Sequence, residues 1–187
     1  MAKKTIVLLA DGFEDVEAVT PIDYLQRAGI EVTAASISGS LTVTSKWGGI
    51  KMTATSTLAE VTKQGTNIYD AIILPGGMPG TANLAASKET SALIKDMAAN
   101  GKLICAICAA PALVLAPLGL LKGKKFTCYP NMEEKVTDGK WSDDRVVTDG
   151  NVITSRGAGT AGEFAVTIIE KLLDKAAAQK LAETVLL

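Results

Sequence analysis

Histidine is absent from this chain of 187 residues. Its absence removes the commonest general base at neutral pH and the commonest metal ligand. Any acid–base chemistry must run on carboxyl, thiol, amine, phenol or backbone groups. Aromatic residues are scarce, at 4%, while hydrophobic residues reach 48%. A core of small and branched aliphatic side chains with few rings suits a packed α/β interior. An excess of charge of either sign is missing too. The 19 basic and 20 acidic residues leave a formal net charge of −1, which gives no electrostatic footprint for nucleic acid or an anionic membrane. No apolar run approaches the ~18 residues needed to span a bilayer. Thr5–Ala10 is too short for the apolar region of a secretion signal, and the acidic Asp11 follows at once. The expected setting is cytoplasmic. The length fits a single domain over 1–187, because two halves would each have a marginal core.

Cysteine is sparse and odd in number, at Cys105, Cys108 and Cys128. A disulfide framework is not expected in a chain of this size. Cys105 and Cys108 have the C-x-x-C spacing of zinc and redox pairs. However, Cys105 sits inside the strand-like run Leu103–Ile107, and a second zinc pair is missing. No metal and no cofactor are expected.

The residues that are present alternate between two periodicities. Thr5–Ala10, Ile30–Ile37, Ala71–Leu74 and Leu103–Ile107 are continuous apolar runs, the pattern of strands buried on both faces. Between and after them, Glu14–Ala28, Glu89–Ala99, Ala109–Ala116, Thr160–Leu173 and Lys175–Thr184 read as helices. Leu41–Thr44 and Ile50–Ala54 flank Trp47-Gly48-Gly49 as a short hairpin or extended excursion. Lys125–Cys128 reads as a short strand. Arg145–Thr148 and Val152–Ser155 flank the hairpin turn Asp149-Gly150-Asn151. The pattern predicts an α/β fold with a mostly parallel central sheet covered on both faces. Such sheets bind ligands beyond the carboxyl ends of their strands. Four unusual segments fall at those ends: Asp11–Glu17, Gly76–Gly80, Cys108–Pro111 and Arg156–Thr160.

Cys108 stands where a buried strand runs into a helix with no loop between. This is the geometry of a nucleophile elbow, with Ala106, Ala109 and Ala110 supplying the small neighbours a tight turn needs. The turn is expected to set the thiol at the positive end of the next helix and so lower its pKa. Most free cysteines are buried small hydrophobes, and Cys105 and Cys128 keep that reading. Glu17 sits one turn into the first helix, between Val16 and Ala18. In an apolar pocket beside a thiolate, its pKa is raised, so it holds a proton to give to sulfur. It is then the acid–base group that histidine cannot be. Pro75-Gly76-Gly77-Met78-Pro79-Gly80 is a glycine-rich turn after a core strand. It lacks the Gly-Lys-Ser/Thr ending of a P-loop. The N–H groups of Gly77 and Ala109 are candidates for an oxyanion hole. Ser155-Arg156-Gly157-Ala158-Gly159-Thr160 is a similar turn without a G-x-G-x-x-G match.

Several of these segments carry a resemblance. They are the Gly12–Glu17 loop, Arg27-Ala28-Gly29-Ile30, Leu74-Pro75-Gly76-Gly77, Ala106-Ile107-Cys108-Ala109-Ala110-Pro111, and Thr154-Ser155-Arg156-Gly157 with Gly159-Thr160. In order and spacing the chain resembles the ThiJ/PfpI superfamily, most closely its Parkinsonism-associated protein deglycase branch. The resemblance implies a flavodoxin-like, Rossmann-like three-layer sandwich and a homodimer. It places the family's reactive cysteine at Cys108, its partner carboxyl at Glu17, and its backbone donors at Gly77 and Ala109. Gly76, Tyr129, Arg156, Gly157 and Lys46 are expected to line the site. Two departures stand out. Tyr129 occupies the place where the branch often has histidine, and Lys46, after Ser45, replaces an arginine and loses its planar fork.

The function this implies is a glutathione-independent glyoxalase or protein deglycase. It would act through Cys108 and Glu17 on methylglyoxal, a small aldehyde, and on its early adducts in glycated proteins. The alternative is a non-catalytic redox sensor or redox-regulated chaperone whose Cys108 oxidises to a sulfinate. A cysteine peptidase or amidase, as in more distant relatives, usually needs a histidine that neither this subunit nor a homodimer of it contains.

Overall fold

The apolar runs form the middle of one sheet in the computed structural model, which describes residues 2–47 and 49–187. In chain order the strands are β1 (Lys4–Leu9), β2 (Glu31–Ser36), β3 (Thr42–Thr44), β4 (Lys51–Thr53), β5 (Ser56–Thr57), β6 (Ala71–Leu74), β7 (Leu103–Ile107), β8 (Lys125–Phe126), β9 (Lys140–Trp141), β10 (Val146–Asp149) and β11 (Val152–Ser155). The helices are α1 (Asp15–Arg27), α2 (Leu58–Gln64), α3 (Gly80–Ala86), α4 (Lys88–Ala99), α5 (Ala161–Leu172) and α6 (Lys175–Thr184). The main sheet runs β10-β11-β7-β6-β1-β2-β5. Its neighbours pair in parallel except β10, which joins β11 antiparallel at one edge.

Residue alternation splits the core into two layers. Ile6, Leu8, Ile72, Leu74, Ile104 and Ala106 face one way, against Leu58 and Val61 of α2 and Leu93, Ile94 and Met97 of α4. Val7, Leu9, Ile73, Cys105 and Ile107 face the other way, against Ala18 and Leu25 of α1, Phe164 and Ile168 of α5, and Leu181 of α6. Both faces of β1, β6 and β7 are therefore dry, which is why their sequences run apolar without alternation. The result is the expected three-layer, flavodoxin-like α/β sandwich.

Chain order reverses at β1. From there the chain goes out to β2 and β5 on one side and returns through β6, β7 and β11 on the other. The crevice beyond the carboxyl ends of β1 and β6 is the place such folds offer a ligand.

Two details differ from the sequence reading. Lys125–Cys128 is a strand only as far as Phe126, and it pairs with β9 outside the main sheet. The N–H of Thr127 goes instead to the hydroxyl of Thr154, at 2.9 Å. The segment after Cys108 forms a single π turn, Pro111–Leu115, where an α-helix was expected. The hairpin β3–β4 forms as expected, although Gly48 of its turn lies outside the described residues. Among the described residues no helix is long and apolar enough to cross a membrane.

Candidate functional site

Two loops lock backbone to backbone at the switch point. Gly12 (φ +88°), after β1, and Gly77 (φ +90°), after β6, take left-handed conformations that a side chain would strain. A Cβ on Gly77 would also stand 2.5 Å from the Glu14 nitrogen. The approach is sealed by hydrogen bonds from Glu14 N–H to the Gly76 carbonyl (3.0 Å) and from Gly80 N–H to the Gly12 carbonyl (3.1 Å). This contact fixes the start of α1 over the end of β6. Glu14 then caps the helix, its Oε2 accepting the Glu17 N–H at 2.9 Å.

One turn on, Glu17 points inward and is 1% exposed. Its Oε2 accepts the Gly76 N–H at 2.8 Å, and the carboxyl also hydrogen-bonds the Cys108 thiol. Burial pushes the Glu17 carboxyl up to about 7. The Cys108 and Gly76 hydrogen bonds and the charge of Lys46 oppose the rise, and the charge of Glu14 adds to it.

Cys108 follows β7 with φ 65°, a left-handed value for a residue with a side chain. Such a conformation costs about 1–2 kcal/mol. Its backbone is held from both sides. The N–H donates to the Ser155 carbonyl at 2.9 Å, and the carbonyl accepts from the Tyr129 N–H at 2.8 Å. The turn throws the thiol out of the sheet toward Glu17, where Gly77 and Ala109 donate backbone N–H bonds to the sulfur.

The expected lowering of the thiol pKa is overturned. Burial, followed by the charge of Glu17 and the hydrogen bond with it, pushes Cys108 up to about 12. The N–H bonds from Gly77 and Ala109 pull the other way and lose. A single π turn sums too few peptide dipoles to compete with desolvation. Cys105 is fully buried and raised well above its ordinary value, and Cys128 is pushed up to about 12, both by desolvation first.

A cavity of about 380 Å³ opens above the sulfur. Of the residues expected to line it, Cys108, Glu17, Gly77, Ala109, Lys46 and Tyr129 do so. Gly76 lies against Glu17 and the sulfur, and a Cβ on Gly157 would fall 3.5 Å from the Tyr129 ring and 3.7 Å from Glu17 Oε1. Arg156 is a correction. Its guanidinium is turned away to the carbonyl and carboxylate of Asp143, and it does not line the cavity. The sequence reading missed Glu14, Trp47, Met78, Met132 and Ala158 on the walls. Trp47 and Met78 carried a signal, as bulky apolar side chains set in glycine-rich turns.

Residues 3–171 match the DJ-1/PfpI family. Protein DJ-1 homolog B of Arabidopsis thaliana is 43% identical over 174 residues, covering 92% of this chain but 39% of that protein, so the chain spans well under half of that relative's length. The glutathione-independent glyoxalase DJR-1.2 of Caenorhabditis elegans is 36% identical over 91% of this chain and 89% of its own. Among solved structures, oxidized Toxoplasma gondii DJ-1 superposes with a TM-score of 0.94 at 38% identity, over 99% of this chain and 98% of that one.

Proposed function

This chain belongs to the DJ-1/PfpI family, and we propose that it is a cysteine-dependent, glutathione-independent glyoxalase that also acts on early methylglyoxal adducts of proteins. The observation that carries the reading is the hydrogen-bonded pair of Cys108 and Glu17 at the floor of an open cavity. The C. elegans relative, named a glutathione-independent glyoxalase, supports the reaction class.

Chemistry starts from a thiol beside a carboxylate. The sulfur of Cys108 bonds the aldehyde carbon as its proton passes to Glu17, and the carbonyl electron pair moves onto oxygen. The N–H groups of Gly77 and Ala109 steady that alkoxide. Glu17 returns the proton to it, giving a hemithioacetal. Glu17 then takes the proton from the former aldehyde carbon and passes it to the ketone oxygen as the carbon–carbon double bond of an enediol forms. The hydroxyl on the sulfur-bearing carbon gives its proton, through Glu17, to the neighbouring carbon, which leaves a thioester of a 2-hydroxy acid. Water cleaves the thioester, releasing lactate and the free thiol. One carbon is oxidised as its neighbour is reduced, so no outside redox partner is needed. Early adducts on protein amines or thiols would enter by the same sulfur attack. The working unit is a homodimer in a cytoplasmic setting. The exposed Val16 and Val19 on the outer face of α1 support pairing.

Cys108→Ser should lose at least about 10²-fold in methylglyoxal conversion, and Glu17→Gln about 10²–10⁴-fold, as for a lost general acid–base group. Wild-type lactate production by Cys108→Ser would sink the proposal. A second reading, oxidation of Cys108 to a sulfinate as a sensor, is favoured by the same N–H donors and carboxyl around sulfur. Negligible turnover of any glyoxal would leave that reading standing.

A further inference from the structure

The chain has two tryptophans and three tyrosines, and one of each stands exposed at the mouth of the cavity over Cys108. Trp47 is 75% exposed and Tyr129 53%. Met78, 46% exposed, faces the same space, and Met132 completes the wall. Single exposed apolar residues are ordinary. Three exposed ones and the half-buried Met132, converging on one opening above a reactive sulfur, form an apolar surface waiting for a ligand to cover it. The Lys46 ammonium stands 4.6 Å over the Trp47 ring and so holds the indole by a cation–π contact.

The volume points the same way. At about 380 Å³, the cavity lies in the range of sites that enclose drug-sized ligands. A three-carbon oxoaldehyde fills a small part of it. Methylglyoxal offers these walls one methyl group. An aryl ring offers a broad apolar face to the aromatic side chains and to the two methionines, which adapt their shape to what they cover.

We infer that the preferred substrates are α-oxoaldehydes carrying an aryl group, with methylglyoxal as a minimal one. This rests on the glyoxalase reading and deepens it by naming the group that the cavity walls bind.

The test compares phenylglyoxal with methylglyoxal in the wild-type protein. The expected kcat/KM ratio is at least about tenfold in favour of phenylglyoxal, the scale of discrimination available to an apolar pocket. Met78→Ala and Trp47→Ala, with melting temperatures matching wild type, should each cut that ratio at least about threefold. A wild-type ratio near one, or a ratio unchanged in both variants, overturns the inference. Binding is read separately in Cys108→Ser by calorimetry with the two product acids. Mandelate should bind at least about tenfold tighter than lactate, and equal affinities overturn the inference. Absence of turnover with both aldehydes sinks the glyoxalase reading alone, and the mandelate measurement still decides the ligand class.

Discussion

Gly76→Ala adds one methyl group at the point where the site leaves no room. The glycine is not in the left-handed region, so the change carries no backbone penalty. Its Cβ would stand 2.5 Å from Glu17 Oε2, 2.6 Å from Cys108 Cβ and 3.0 Å from the sulfur. Ordinary contact begins at 3.4 Å, so the carboxyl must retreat by about 0.9 Å or the β6 loop must lift off α1. A displacement near 1 Å costs about 10²-fold in rate. Overpacking costs about 1–3 kcal/mol, which lowers Tm by a few degrees or more. The assay is methylglyoxal conversion to lactate, with thermal melting on the same preparations. Gly29→Ala is the control. It sits at φ +81° with nothing within 4 Å of the new Cβ, so it loses stability by strain alone, about 1 kcal/mol. Its kcat/KM should stay within twofold of wild type. Wild-type activity in Gly76→Ala would refute the steric argument. So would an equal loss in both variants, because activity would then be following stability.

Glu17 should make stability fall as pH rises. Its carboxyl is raised from 4.5 to about 7 in the folded chain, so between those values the native state binds more protons than the unfolded one. The penalty grows across that window to roughly 3 kcal/mol and is then constant; urea unfolding of wild type against Glu17→Gln at pH 4.5 and 7.5 should show it, and identical pH slopes would count against it. Mild peroxide should add two oxygens at Cys108 while sparing Cys105 and Cys128, which are 0% exposed. Peptide mass spectrometry finding oxidation first at either buried cysteine would contradict the site's accessibility. Thr57 caps α2 in a reciprocal box with Glu60, accepting its N–H at 3.3 Å while Glu60 Oε2 accepts the Thr57 N–H at 2.8 Å. Thr57→Ala should cost about 1 kcal/mol in urea unfolding without changing kcat/KM.

The sequence was most legible where burial is two-sided. Ala71–Leu74 and Leu103–Ile107 are fully apolar because helices cover both faces, so their place at the sheet centre could be read from the residues. β5, Ser56–Thr57, is two polar residues on an edge, and α3, Gly80–Ala86, is rich in small residues. Neither carries a period long enough to see. Cys108 and Glu17 were readable for different reasons. The cysteine is marked by a strand running into a turn with no spacer, and the glutamate by its depth in an apolar helical stretch. Arg156 looked equally well placed at a strand end. Its direction is set by Asp143, on a loop thirteen residues earlier, and no local pattern carries that pairing. Met132 reaches the cavity from the irregular segment after Tyr129, where neither period applies.

The missing histidine decides what kind of cysteine site this is. In a Cys–His pair the imidazolium keeps a thiolate standing beside it. Here the neighbour is a carboxyl, and two adjacent anions in a buried site repel one another. Burial pushes Glu17 up to about 7, and burial with this repulsion pushes the thiol up to about 12, so the pair resists carrying two charges. In the proposed mechanism the thiolate is made only as the carboxylate accepts its proton, during attack on a substrate. There the resting roles are the reverse of those expected from the sequence, where Glu17 was the donor and sulfur the standing anion. It also ties reactivity to one titration. The rate of attack by Cys108 should rise as Glu17 ionises near 7, and the rise should vanish in Glu17→Gln, which carries no base to take the proton.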